Sequence, residues 1–230
     1  SAGVDPANGL PLYNAYYDKE PILDESGNAV LDEEGNPTFN KIYSHDGEFV
    51  ETVNSTSSGE ATQIKTGKTP IPDLYGGFST YMSFYGFDLS AAFAYQIGGW
   101  TLDSNYQTLM TAGDLGSNWH KDIFNRWTPQ NTNTDVPRVQ NGYQDANQTS
   151  TRFLIKSSYF SVRNVTLGYT LPKQVTERIG IERLRVYITG DNLWYTSKRK
   201  GLEVRNSFTG GTGFVYSALR TVSAGVQLTF

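Results

Sequence analysis

The chain has 230 residues and a net charge of −4, with a sequence pI of about 5.2, so it lacks the basic surface of a nucleic-acid-binding protein. It has no cysteine and only two histidines, which excludes a disulfide framework and a cysteine metal site. We therefore expect no catalytic residue, no metal ligand and no cofactor. No apolar run approaches the roughly 20 residues of a membrane helix. The 15 tyrosines, 12 phenylalanines and 23 glycines are typical of a β protein.

Residues 1–73 are mostly polar and predict one strand, over residues 9–17, followed by loop. Within this region residues 22–28 (Ile-Leu-Asp-Glu-Ser-Gly-Asn) are echoed by residues 30–36 (Val-Leu-Asp-Glu-Glu-Gly-Asn). Oxygen-bearing side chains at alternate positions suit a calcium loop, but neither copy has the full spacing of one. We favour two tight turns, in which glycine supplies the positive φ.

Residues 74–97 predict a long hairpin. Apolar and small polar residues alternate along both halves, and Gly86 lies between the halves as a tight turn. The alternation runs without a break from Phe87 to Ile97. Because side chains alternate between the two faces of a strand, each strand has one apolar face.

Residues 98–157 predict a long connection. Residues 102–110 have weak helical spacing, and residues 118–127 predict a short amphipathic helix with Trp119, Ile123 and Trp127 on one side. A connection of this length in a compact protein is expected to carry function.

Residues 158–230 predict the last three strands, over 159–171, 184–193 and 220–230. In the first of them the apolar positions change from even to odd, and a β-bulge at Arg163–Asn164 restores the facing. The alternative is that Phe160 points to the other face.

The final strand alternates strictly between apolar and small polar residues. No charge follows Arg220, and the strand ends on Phe230. A soluble edge strand usually carries a charge or a proline. The pattern is compatible with a soluble sandwich, but it favours a strand of a transmembrane barrel, whose apolar face meets lipid.

The connections between the predicted strands are alternately long and short. The short ones are Gly86 and residues 172–182, and the long ones are residues 98–157 and 196–217. Short periplasmic turns and long extracellular loops are typical of an outer-membrane barrel.

Seven segments resemble the C-terminal end of the SusC/RagA family of TonB-dependent outer-membrane transporters. The most specific is Tyr-Phe-Ser-Val-Arg-Asn-Val-Thr-Leu-Gly-Tyr-Thr-Leu-Pro at residues 159–172. The other six are residues 69–80, 85–90, 126–129, 184–187, 190–194 and 200–202. The chain departs from the family after Leu202, where Glu203-Val204-Arg205 stands in place of the frequent Asp-Pro-Glu.

The resemblance implies an all-β fold: the C-terminal antiparallel strands of a barrel that has 22 strands in the full-length family. It implies an importer of glycans or peptides across the outer membrane of a Gram-negative bacterium. The importer would be driven by TonB through an N-terminal box and closed by a SusD-like surface lipoprotein. We therefore expect the chain to be a C-terminal portion of such a receptor, without its signal peptide and plug domain.

Candidate site residues follow from exposed loops and from the expected lumen. Aromatic rings in the loops would stack on sugars or contact the lid, although packing within the loop explains them equally well. Polar residues on the strands would face the lumen and contact substrate, or simply line it. The loop candidates are Trp100, Trp119, Trp127 and Tyr143, and the strand candidates are Arg163, Arg185, Asp191 and Asn192.

Two other classes compete with the importer. A soluble secreted β-sandwich that binds a ligand would carry charges among the outward residues of its strands, and the final strand does not. A passive porin-like barrel would share these strands, and only the family resemblance argues against it. An enzyme is the class we expect least, because no nucleophile–base pair or phosphate-binding loop is present.

Overall fold

The structure is a computed structural model that describes residues 1–54, 59–111, 116–142, 147–205, 211–212 and 216–230. These residues form two compact units. The first unit contains Ser1–Gly67 and Asn105–Phe153, and the second contains Lys68–Ser104 and Leu154–Phe230. In the described ranges no helix is both long enough and apolar enough to cross a membrane.

Strands are the main regular structure, in agreement with the predicted all-β fold. In chain order the strands are β1 (Gly3–Val4), β2 (Pro11–Pro21), β3 (Phe39–Tyr43), β4 (Phe49–Asn54), β5 (Leu74–Phe84), β6 (Phe87–Ile97), β7 (Trp100–Asp103), β8 (Leu154–Lys156), β9 (Tyr159–Thr170), β10 (Arg183–Ser197), β11 (Gly211–Thr212) and β12 (Thr221–Thr229). The helices are α1 (Ser104–Leu109), α2 (Lys173–Thr176) and the 3₁₀ helices Lys121–Asn125, Thr151–Phe153 and Glu177–Ile179.

The second unit is built on a five-stranded antiparallel sheet in the order β12-β10-β9-β6-β5. Its register brings the apolar positions of all five strands to one face, where Phe93 pairs with Phe78 and Val162, and Val186 pairs with Tyr169 and Val226. No charged residue stands at a paired position on this face. We call it the apolar face.

The side chains of the apolar face are largely exposed. Phe78 is 54% exposed, Ile188 49% and Val222 62%. Monomeric soluble proteins rarely leave a contiguous apolar surface of this extent open to water. Eleven residues, the length of β5 and of β6, span about 37 Å along a strand, or about 26 Å when tilted by about 45°. That height matches the apolar band of an outer-membrane barrel.

The opposite face of the sheet is polar and consists mainly of small side chains, with a few long ones laid across glycines. The Arg185 side chain lies over Gly168, and the Tyr187 ring lies over Gly225. A large side chain covering a strand glycine is a recurring way to stabilise a sheet. We call this surface the polar face.

The predicted β-bulge in β9 is confirmed. Asn164 pairs with Ala92 while Val162 pairs with Phe93, so Arg163 is the extra residue. On the other side of β9 the register with β10 shifts between Asp191 and Trp194. The bulge keeps Phe160 on the apolar face, where its ring lies 5.9 Å from that of Phe93.

The short and long connections also lie at opposite ends of the sheet, as predicted. β5 and β6 are joined by the two residues Tyr85 and Gly86, and β9 and β10 by a segment that contains α2. The prediction of a single loop over residues 98–157 needs a correction, because β7 and β8 pair within it and β11 adds a parallel bridge to β7.

The first unit is more ordered than the sequence predicts. β2 pairs with β1, β3 and β4, and the sequence analysis missed β3 and β4. In the same unit, Met110, Ile123 and Val136 form a cluster of buried side chains. The predicted helix over residues 118–127 is wrong in length: only Lys121–Asn125 is helical, and it is a 3₁₀ helix.

The two repeated segments near the start are tight turns, as favoured. Asp24 accepts the backbone N–H groups of Ser26 and Asn28 at 2.9 and 2.8 Å, and Asp32 makes the equivalent bonds in the second copy. The N–H of Asn28 is the largest cause that lowers the pKa of the Asp24 carboxyl below its usual value. These carboxylates therefore stabilise their own turns.

The Tyr85–Gly86 turn yields a prediction. Both residues have positive φ, 48° and 84°, which suits glycine or asparagine but strains tyrosine. We expect Tyr85→Asn to raise the free energy of unfolding by about 1 kcal/mol, and Tyr85→Ala, which removes the ring but keeps a Cβ strained at positive φ, not to raise it. Urea unfolding of the folded protein in detergent measures the difference. Equal stability of the two variants would contradict the strain.

Candidate functional site

The polar face carries the best-defined group of charged side chains. Arg185 on β10 reaches across β9 to Asp88 on β6, with Nε donating to Oδ1 at 2.9 Å and Nη2 donating to Oδ2. Both side chains are more than four-fifths buried, and the guanidinium also lies 4.9 Å from the Tyr187 ring centroid. A two-bond pair of this kind is among the stronger polar interactions in proteins. It joins three strands, and it leaves Arg185 committed to Asp88.

A network of uncharged groups and one carboxylate lies on the same face, nearer the long connections. The Asn164 side-chain amide donates to Asp191 Oδ1 at 2.8 Å and to Thr189 Oγ1 at 3.0 Å. The Thr166 and Thr189 hydroxyls are 2.8 Å apart. Asp191 thus lies on the polar face and is held by Asn164, which the sequence analysis did not single out as a site residue.

Asn192 lies beside the bulge, and its side-chain hydrogen bonds stabilise the fold. Its φ is 51°, a conformation that asparagine tolerates better than most residues. Its Oδ1 accepts from Arg205 Nη1 at 3.1 Å, and its Nδ2 donates to the Leu219 carbonyl at 3.3 Å. Both ends of the amide are therefore used to fix the connection that follows β10.

Two ion pairs hold the start of that connection. Arg205 pairs with Glu203, and Arg199 pairs with the buried carboxylate of Asp103 on β7. Burial, the largest single cause, raises the pKa of the Glu203 carboxyl, but the hydrogen bonds and charge of Arg205 and the Ala218 N–H together lower that pKa below its usual value. Val204 is fully buried, and its N–H donates to the Tyr195 hydroxyl at 3.0 Å. The sequence analysis missed the Arg199–Asp103 pair because it depends on a contact between segments that are distant in the sequence.

Arg163 differs from the other three strand candidates. As the extra residue of the bulge it is exposed, and its side chain has no polar partner among the described residues. It remains a candidate for contact with a ligand.

The loop tryptophans are in three different environments. Trp127 is half-buried: its Nε1 donates to the Pro6 carbonyl at 3.0 Å, and its ring lies so close to Gly9 that a Cβ there would clash. The ammonium groups of Lys68 and Lys156 lie 3.8 Å and 6.0 Å from the centroid of the Trp100 ring. Trp119 is 43% exposed. Tyr143 lies outside the described residues.

Trp119 lies in a segment that is held in place by several side-chain contacts. Ile123 is buried, and the Tyr106 hydroxyl donates to Asp122 at 2.9 Å. The His120 ring packs edge-on against Tyr106 at 4.9 Å. These contacts fix the segment while Trp119 and Phe124, which is 82% exposed, point to solvent.

Comparison with known proteins agrees with this architecture. No protein-family model matches the chain. TonB-dependent receptor P3 of Formosa agariphila is 32% identical over 160 residues, and receptor P26 of the same organism is 24% identical over 173 residues. Each match covers 70% of this chain but only 15% or 17% of the receptor, so the chain spans a small part of the length of these relatives.

Solved structures give the same result over a longer stretch. The RagAB peptide importer in its closed-closed state matches 100% of this chain and 22% of its own, with a TM-score of 0.66 and 28% identity. Its open-open state matches 94% of this chain at 27% identity and the same TM-score. The chain is SusC/RagA-like.

Similarity to TonB-dependent receptors bears on how the site is interpreted. The relatives are named as receptors and importers rather than as enzymes. The described part of the chain contains no group of three or more His, Asp or Glu side chains that could hold a metal ion.

Gly168 provides a test of the polar face. A Cβ at this position would stand 2.7 Å from Arg185 Nε and 2.6 Å from Asp88 Oδ1. We expect Gly168→Ala to break the ion pair and to cost about 2 kcal/mol of unfolding free energy.

Arg185→Met should cost a similar amount, and the double variant little more than either single one, because both changes remove the same pair. Denaturant unfolding of the four proteins measures this. Simple addition of the two costs would mean that Gly168 matters for another reason.

Proposed function

We propose that these residues form part of the wall and of the substrate- or lid-facing loops of an outer-membrane, TonB-dependent nutrient importer. The observation that carries the proposal is the uncharged, exposed apolar face that runs across five paired strands. Lipid tails are the environment in which such a surface is stable. Similarity to TonB-dependent receptors supports energised import rather than passive diffusion.

A SusD-like surface lipoprotein is the proposed partner, and an oligopeptide or oligosaccharide is the proposed cargo. The solved relatives are described as a peptide importer, which supports peptide as the first class to test. Trp119 is the proposed contact residue among the loop tryptophans, since Trp127 is used for packing and Trp100 is flanked by lysines. Arg163 is the proposed contact on the wall.

The soluble sandwich is disfavoured by the same apolar face. A sandwich buries one face of each sheet against its partner sheet. Here Phe78, Ile188 and Val222 stay about half or more exposed. No feature of the described residues favours a passive porin over the importer.

Neighbouring residues of β12 test the lipid contact. Ala224 lies on the apolar face near the middle of the strand, and Ser223 lies on the polar face. We expect Ala224→Arg to cost about 2–4 kcal/mol of folding free energy in a bilayer, and Ser223→Arg to cost much less.

Folding into phospholipid vesicles, followed by the heat-dependent shift of the band on a gel, compares the two variants. Equal folding of both would contradict the assignment of the lipid-facing side.

Uptake tests the importer. Cells that carry the receptor containing these residues are expected to accumulate labelled oligopeptides or oligosaccharides, and cells lacking TonB are expected to lose this accumulation. A passive porin would continue to admit the label without TonB, so retained uptake would replace the importer with the porin.

A further inference from the structure

One arginine of the first unit is half-buried and has neither an ion pair nor a hydrogen bond with a described residue. Arg152 lies in the 3₁₀ helix Thr151–Phe153, with its guanidinium carbon 5.3 Å from the centroid of the Phe153 ring. Phe153 is 1% exposed and packs edge-on against Tyr106 at 6.2 Å. The aromatic ring therefore holds the guanidinium in place while part of the side chain remains open to solvent.

The other half-buried arginines of the described residues all have polar partners. Arg152 alone makes neither an ion pair nor a hydrogen bond with a described residue. The partnered ones are Arg138 with the Asn8 carbonyl and Gln140, Arg185 with Asp88, Arg199 with Asp103, and Arg205 with Glu203.

An unpaired guanidinium in this position requires an explanation. Arginine stays protonated at neutral pH, and removing its charge from water without a partner is unfavourable. Burial lowers the pKa of Arg152, and the neighbouring titratable groups are Asp135, Tyr106 and Tyr13. Asp135 is close enough to influence Arg152 but is not within ion-pair distance of it.

We infer that Arg152 binds a carboxylate of the imported ligand. A guanidinium presents a planar set of N–H donors that matches the two oxygens of a carboxylate, and binding would supply the ionic partner that the described residues do not. The carboxylate could belong to a peptide or to an acidic sugar such as a uronate. This inference rests on the proposed import function and narrows its substrate to ligands with a carboxylate.

The test measures binding by the purified, detergent-solubilised receptor that contains these residues. The probes are two matched pairs: tetra-alanine and its C-terminal amide, and tetragalacturonate and its methyl ester. The variants are Arg152→Gln and Arg152→Lys. Arg126→Gln, which changes an exposed arginine of the same unit, is the control.

We expect Arg152→Gln to weaken binding of the charged member of one pair by about tenfold or more and to leave its neutral counterpart unchanged. Arg152→Lys should lie between the wild type and Arg152→Gln, because it keeps the charge and loses the planar fork. Asp135→Asn should strengthen binding of the charged probe, since it removes a nearby negative charge. Arg126→Gln should bind like the wild type.

The probe pair whose charged member binds more weakly to Arg152→Gln shows whether the carboxylate belongs to a peptide or to a sugar. The inference is overturned if Arg152→Gln still prefers the charged probes to the neutral ones as strongly as the wild type does. It is also overturned if the wild type binds the charged probes no more tightly than the neutral ones. If Arg152→Gln does not fold, Arg152→Lys carries the same comparison. Binding that depends on Arg152 without TonB-dependent uptake would contradict the import function and leave the carboxylate site standing.

Discussion

The whole second unit depends on one constraint: a strand has two faces, and here one of them must be free of charge along its full length. A slip of one residue would bring Asp88 to the apolar face if it occurred in β6, and Arg185 if it occurred in β10. The bulge at Arg163 is the point where this constraint is visible. Without an extra residue there, Phe160 and Val162 could not share a face with Val165 and Leu167.

The polar face is organised by close approach between strands. Gly168 and Gly225 leave room for Arg185 and Tyr187 to lie flat across the neighbouring strand. Arg185 thereby reaches Asp88, which is 97 positions away in the sequence and two strands away in the sheet. An ion pair of this kind favours one register of the sheet, because it forms only when the three strands are aligned. The small side chains and the flat long ones together make a smooth polar surface.

Sequence patterns predicted the parts of the fold in which one face is continuously apolar. The bounds of β6 at Phe87–Ile97 and the bulge in β9 were both predicted, because period-two alternation is unambiguous there. β3 and β4 were missed because their residues are largely exposed and mix aromatic, charged and polar side chains. The helix over residues 118–127 was predicted too long because Trp127 satisfies helical spacing but packs on Gly9 instead.

The same limit applies to the candidate site. Sequence patterns identified Arg185, Asp191 and Asn192 as polar strand residues, but their partners Asp88, Asn164 and Arg205 depend on register and on the path of the chain after β10. The pairing changes how these residues are interpreted, since a side chain whose donors and acceptors are already used has little left for a ligand. Charge pairing therefore separates structural from binding residues more sharply than residue type does. On that criterion Arg163 at the bulge and Arg152 beside the Phe153 ring differ from Arg185, because neither makes an ion pair or a hydrogen bond with a described residue. Arg152 is the half-buried one of the two, so an unpaired charge is less favourable there than at the exposed Arg163.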